Sequence, residues 1–310
     1  NPEEDITDPN VVHLFSNMGW TVKSLAFSPD KRFLVAGKLD AKLIVLDLTT
    51  GEQVFEINDL QNEMSQVTSV AFSRDGKRII AAGFKGAIAS WAINDAGQLS
   101  DKQALASQAK QVQTLVVSPA SGFLISGSSR GQLLWQPVVS PGAPKSRQIE
   151  ALPRAVLAIH LPKSGLKAIA SDGQTLVAVD LKNAKLLGER KLQKAYPHAA
   201  AFSADGSRLA ITSGYEINVF NTATQSHELK IDTDHDIQWS VGFMPDGKRI
   251  YSGGRGRVTF WDVESGEPTA RLSVGDVLTI KTIAVSDDSQ WLATIPESAG
   301  QTLRVFKIPD

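Results

Sequence analysis

Cysteine is absent from this chain of 310 residues. That excludes disulfides and thiolate metal sites together, and it leaves the redox compartment unread. Net charge is nearly absent too: 32 Lys and Arg stand against 33 Asp and Glu, a formal balance of −1. No global field therefore draws the protein to nucleic acid or to an anionic membrane. Apolar runs are short and strand-sized, well below the length of a spanning helix. No signal peptide is readable, and a start at Asn1 rather than Met is expected of a chain processed or cut from a longer protein. Apart from short connectors, no stretch has helical period. What remains is ordinary for a globular protein with a large core, 42% hydrophobic and 21% charged.

The organising feature is a repeat. "VTSVAFSRDGKRIIAAG" (Val67–Gly83) is two apolar strands around an Asp-Gly turn, a hairpin that is marginal alone in water. Related stretches begin at Val22, Val112, Val156, Pro197, Gln238 and Ile280. The apolar residue before each turn is Phe27, Phe72, Val117, Leu161, Phe202, Phe243 and Val285, at gaps of 45, 45, 44, 41, 41 and 42 residues. Seven copies at this period, each made of short strands, read as a propeller. A third strand follows every hairpin, with a large side chain expected at Leu46, Trp91, Trp135, Val179, Phe220, Trp261 and Phe306. A more polar fourth strand comes next, as in "TTGEQVFEI" (Thr49–Ile57), as suits a half-solvated outer edge.

Stretches such as "GFMPDGKRIYSGGRGRVTFWDVESGE" (Gly242–Glu267) resemble WD-repeat β-propeller blades, and the resemblance covers nearly the whole chain. Trp261-Asp262 is the single literal "WD" among the repeats. Asp40 and Asp172 keep the turn Asp of that family, and no blade has a clear Gly-His pair, so the family's hydrogen-bond network is expected to be largely lost. The expected fold is all-β, a seven-bladed β-propeller of four-stranded antiparallel blades. Repeat seven stops at Asp310 after its third strand, whereas "VVHLF" (Val11–Phe15) precedes repeat one without a hairpin of its own. Pairing that run with Leu303–Ile308 would remove two unpaired edges and close the propeller. The expected organisation is a loose polar segment at residues 1–10 and a propeller over residues 11–310.

Several motifs carry weaker chemistry. "GSSRG" (Gly127–Gly131) matches a hydrolase nucleophile pattern at Ser129, but its place is a hairpin rather than a strand–turn–helix elbow. "DTDHD" (Asp232–Asp236) gathers three carboxylates and His235, yet lacks the glycine and distant Glu of a calcium loop. Its histidine is readable as a remnant of the structural His of WD repeats. "SGGRGR" (Ser252–Arg257) is glycine-rich without the helix of a phosphate-binding fingerprint. No catalytic residue, metal ligand or cofactor is nominated.

The resemblance implies a non-catalytic scaffold or docking module that binds a protein or peptide and can belong to a larger chain or complex; the balanced charge disfavours nucleic acid, and no membrane role is expected. The alternative is a propeller enzyme or small-ligand binder with its site at the central channel mouth, which clustered His and carboxylates around the axis would favour. In WD-repeat propellers the turns between second and third strands share a face with the connectors between blades. There Lys85, Arg130, Arg255 and Arg257 would form a basic rim. Residues flanking the first apolar position of each repeat add Lys23, Tyr196, His198, Trp239 and Lys281, and Trp20 and Phe84 lie alongside. These eleven are the expected partner-binding residues, because Tyr, Trp and Arg dominate interface energetics.

Overall fold

The computed structural model describes residues 8–16, 18, 22–118, 122–138, 146–162, 167–192, 197–275, 279–297 and 302–309. Among them every regular element is a strand, and the 28 strands form seven antiparallel sheets of four. The sheets fall into two compact units.

Residues 22–193 carry blades one to four. Blade one is Val22–Phe27, Phe33–Lys38, Leu43–Asp47 and Glu52–Ile57. Blade two is Val67–Phe72, Arg78–Gly83, Ile88–Ile93 and Leu99–Ala104. Blade three is Val112–Val117, Phe123–Ser128, Gln132–Pro137 and Arg147–Glu150, and blade four is Ala158–His160, Lys167–Ser171, Thr175–Asp180 and Lys185–Lys191. The second unit combines residues 1–21 with 194–310. Its blade five is Ala199–Phe202, Arg208–Ser213, Glu216–Asn221 and His227–Asp232. Blade six is Ser240–Phe243, Arg249–Gly253, Arg257–Asp262 and Pro268–Ser273. Blade seven is Thr282–Val285, Trp291–Ile295 and Leu303–Lys307, completed by Val11–Phe15.

Four of the hairpins owe their shape to a local hydrogen-bond device. Ser203 Oγ donates to Asp205 (2.6 Å) and accepts from the Arg208 amide (3.0 Å), while Asp205 accepts from the Ser207 amide (3.0 Å). Ser73–Asp75 and Ser286–Asp288 repeat it at 2.6 Å each, and Ser28–Asp30 at 2.5 Å. Short polar side chains thus satisfy turn amides that no strand reaches. The Ser203 hydroxyl, followed by the Ser207 amide, holds the Asp205 carboxyl down at about 2.

Cores form between neighbouring blades. One cluster joins Val35, Val45 and Leu43 of blade one to Val67, Ile79 and Trp91 of blade two. Another joins Val258 and Phe260 of blade six to Leu292 and Phe306 of blade seven. The second-strand glycine Gly37 makes room for such contact, since a Cβ there would stand 2.5 Å from Val67 of the next blade.

Ladder pairing fixes the repeat positions. Phe27 faces Leu34, which faces Leu46; Phe72–Ile79–Trp91 and Phe243–Ile250–Trp261 form the same row. In blade three the row is Val117–Leu124–Gln136. The large side chain expected at Trp135 therefore sits one residue off the row, on the other face of its strand, where it stacks on Phe123 at 4.4 Å. Buried Gln136 takes the slot and exchanges two bonds with the Ala106 backbone, 2.7 and 2.8 Å.

Blade seven is built from both ends of the chain. Val11 pairs with Phe306, Leu14 with Arg304 and buried Phe15 with Leu303. The Lys307 amide donates to Asn10 O (2.8 Å). Within the segment expected to be loose, Asp8 is buried, accepts from both Asn10 nitrogens at 2.9 Å, and accepts from the Ser273 amide at 2.7 Å. Residues 1–7 lie outside the described residues.

Candidate interaction faces

In the unit containing blades five to seven, three of the expected residues meet. His198, Trp239 and Lys281 hold the same position of the repeat, four residues before Phe202, Phe243 and Val285. Backbone bonds fix the first two alike: the His198 amide donates to Thr212 O (3.0 Å) and the Trp239 amide to Gly253 O (2.8 Å). The rings of exposed His198 and half-buried Trp239 lie 4.7 Å apart. Lys281 Nζ stands over the same indole, 5.1 Å from its centroid, and pairs with Glu297 at 2.8 Å. Thr279 Oγ1 donates to that carboxylate as well (3.2 Å). The result is a row of aromatic and charged groups across three blades, the chemistry that grips peptide side chains.

Beside it lies the turn between the second and third strands of blade six. Asp236, in the connector from blade five, accepts from the Arg255 amide (3.0 Å) and faces Arg257 at 3.4 Å. A Cβ on Gly254 would stand 2.3 Å from the Asp236 carboxylate, so glycine lets the connector reach the turn. Arg257 is thereby neutralised, and Arg255 keeps an exposed side chain without an ion pair among the described residues. A second "DTDHD" carboxylate is engaged locally: Asp232 accepts from the Asp234 amide (3.0 Å). Exposed His235 packs edge-on against exposed Tyr215 at 5.5 Å, a surface contact rather than an internal structural histidine. Among the described residues no group of three His, Asp or Glu could hold a metal ion.

In the unit of blades one to four, Lys23, Phe84, Lys85 and Arg130 are all exposed. Lys85 Nζ donates to Asn62 O (3.0 Å). Ser129 lies in the turn before Gln132, its amide bonded to Gln111 O (2.8 Å), with a strand rather than a helix following. A cavity of about 450 Å³ opens at the other end of the strands, between Arg74, Asp75 and Arg78 of blade two and Val117, Gly122 and Val138 of blade three. Two of its charged groups are engaged within the fold: Arg78 binds Asp101 at 2.8 Å and Asp75 accepts from Ser73. Trp20 and Tyr196 lie outside the described residues.

Comparison with known proteins now decides the family. The family described as outer membrane protein assembly factor BamB matches residues 15–272. The chain belongs to that family. Its fold is similar to that of the β-propeller domain of Cps50 (Swd1) from Myceliophteria thermophila, with a TM-score of 0.79 at 15% identity. The alignment covers 97% of this chain and 99% of that one. No curated protein matches. In all, 1830 chains of solved structures match, so the seven-bladed propeller fold does not by itself select a function.

The matching family is this one and not a WD-repeat family, so the WD-repeat resemblance holds only at the level of the propeller fold. One link of the WD network survives: the Trp261 indole donates to buried Ser252 Oγ at 2.8 Å. The two turn aspartates do other work. Asp172 caps its own turn through the Gln174 and Thr175 amides (2.9 and 2.6 Å), and Asp40 faces Lys38 at 3.5 Å. Tyr215 and Glu297 belong to the face and were not foreseen. Tyr215 could have been found from its place in the blade-five turn, one position beyond the equivalent of Arg255: the Thr233 amide donates to Tyr215 O as the Val274 amide does to Gly256 O, 2.9 and 2.8 Å. Glu297 follows the second strand of blade seven at the place Phe84 and Ser129 hold in blades two and three, its amide donating to Thr279 O at 3.0 Å, so repeat position marks it.

Proposed function

We propose that this chain is a non-catalytic protein-interaction module, docking a protein or peptide on the connector side of its blades. Within the family named for outer membrane protein assembly, its partner is then a component of such an assembly. The observation that carries the reading is the row His198–Trp239–Lys281, where a cation and an imidazole flank one indole at an exposed edge. Exposed aromatic clusters cost solubility, and a partner that covers them offsets that cost.

A photo-crosslinking amino acid placed at Lys281, and separately at Asp246 in the turn at the other end of blade six, tests it in the intact protein. Under this reading, Lys281 captures one defined protein by mass spectrometry, Trp239→Ala abolishes the capture, and Asp246 captures none. Equal capture from both positions, or capture indifferent to Trp239→Ala, would place the contact elsewhere.

A further inference from the structure

Charge is segregated along this chain although it nearly cancels overall. Between Lys102 and Ser171 the sequence holds eight Lys and Arg and a single acid, Glu150, a net of +7 within a chain of −1. Blades two and three convert part of that block into a continuous ridge. The Phe84 amide donates to Gln66 O at 3.1 Å, and the Ser129 amide repeats the bond to Gln111 O at 2.8 Å. Each turn then lies against the connector that follows its blade: the Gln108 amide donates to Gly86 O and the Leu152 amide to Gly131 O, 3.0 Å each. Approach is close enough to require glycine, with φ of +85° and +83°. A Cβ would stand 2.0 Å from Gln108 O at Gly86 and 1.8 Å from Leu152 O at Gly131.

The path of bonded backbone therefore runs from Phe84 through Lys85, Lys110 and Gln111 to Ser129, Arg130 and Arg154. All four of its cations are exposed. Lys85 rests on neutral carbonyls, and no acid pairs with Lys110, Arg130 or Arg154 among the described residues. Glu150, the sole acid of the block, accepts from Gln132 Nε2 at 2.6 Å. In blade five the corresponding connector is the acidic Asp232–Asp236, which binds the neighbouring turn internally. Phe84, 48% exposed, offers one apolar contact at the start of the ridge.

We propose that this ridge binds an extended acidic segment of a protein partner, with carboxylates on Lys85, Lys110, Arg130 and Arg154 and an apolar residue on Phe84. The inference rests on the reading of the chain as a protein-interaction module and adds the chemistry of what it binds. Unpaired cations spaced along one track favour carboxylates through complementarity. A single-stranded nucleic acid would want stacking platforms along its path, and here there is one ring, at one end.

The test uses the intact protein and a fluorescein-labelled peptide with one phenylalanine followed by alternating glutamate and glycine, read by anisotropy. Controls are the same peptide with glutamine for glutamate, a mixed-sequence single-stranded DNA, and phosphatidylglycerol vesicles. The expected result is salt-sensitive binding of the glutamate peptide and none of the glutamine peptide. Lys110→Glu with Arg130→Glu should weaken it by about a hundredfold, and the neutralising pair Lys110→Gln with Arg130→Gln by about tenfold. Lys248→Glu, in the exposed turn at the other end of blade six, should leave it unchanged. Binding indifferent to both ridge pairs, equal binding of the glutamine peptide, or binding of DNA or vesicles but not peptide would overturn the proposal. If the protein captured at Lys281 needs Trp239 while the ridge pairs bind the peptide like wild type, the ridge alone fails. If the peptide behaves as expected but nothing is captured at Lys281, the Trp239 face alone fails.

Discussion

Phe15→Ala isolates the closing contact of blade seven. Phe15 is 6% exposed and ends the N-terminal strand opposite Leu303, which is fully buried. Truncating a buried phenylalanine costs about 3–5 kcal/mol. Besides Phe15, the strand is held by the half-buried Val11 and Leu14, by its ladder to Leu303–Lys307, and by the Asp8 anchor on Ser273. Once it lets go, the loss is capped at the free energy that docks the strand. With about 3 kcal/mol lost before that cap, opening becomes more than a hundredfold more frequent. The assay is native-state hydrogen exchange at the Lys307 amide, which donates to Asn10 O and is uncovered when the strand leaves. Its protection should fall about a hundredfold, while the Trp239 amide, bonded within blade six, keeps its own. Unchanged protection at Lys307 in a destabilised variant would refute the reasoning, because Phe15 would then stabilise something other than closure.

Gln136→Leu should destabilise the protein by about 2 kcal/mol in denaturant titration, because Ala106 loses both partners of a largely buried pair. A variant as stable as wild type would show the slot indifferent to polarity. Asp205→Ala should lower the melting temperature at neutral pH. Since the folded carboxyl sits at about 2, below its ordinary value, that contribution is present above about pH 4 and disappears as pH falls through about 2. Melting curves that stay equally separated at low pH would exclude the turn carboxylate as the source.

Much of this architecture is legible because β repeats write themselves twice, once as period and once as alternation. The Asp-Gly and Ser-x-Asp turns and the orphan strand Val11–Phe15 all stand in the sequence. Register inside a strand is harder to read. In "LLWQP" both Trp135 and Gln136 suit the third-strand row by spacing, and a slip of one residue exchanges faces. A buried glutamine in a row of large apolar side chains becomes intelligible once the Ala106 backbone is seen beside it. The face was half legible. His198, Trp239 and Lys281 follow from repeat position, whereas their contact depends on how far each side chain reaches across blades. Lys110 and Arg154 were missed because their connectors carry no hairpin signal, although the acid-poor stretch from Lys102 to Ser171 marks them.

The central claim is that the aromatic row on blades five to seven binds a protein. Its most direct measurement is the affinity of the captured partner for wild type and for Trp239→Ala with Arg255→Glu, by isothermal titration calorimetry. The account predicts a loss of about 2 kcal/mol or more, the scale of a hot spot, with native circular dichroism in the variant. Undiminished affinity in a natively folded variant would contradict it.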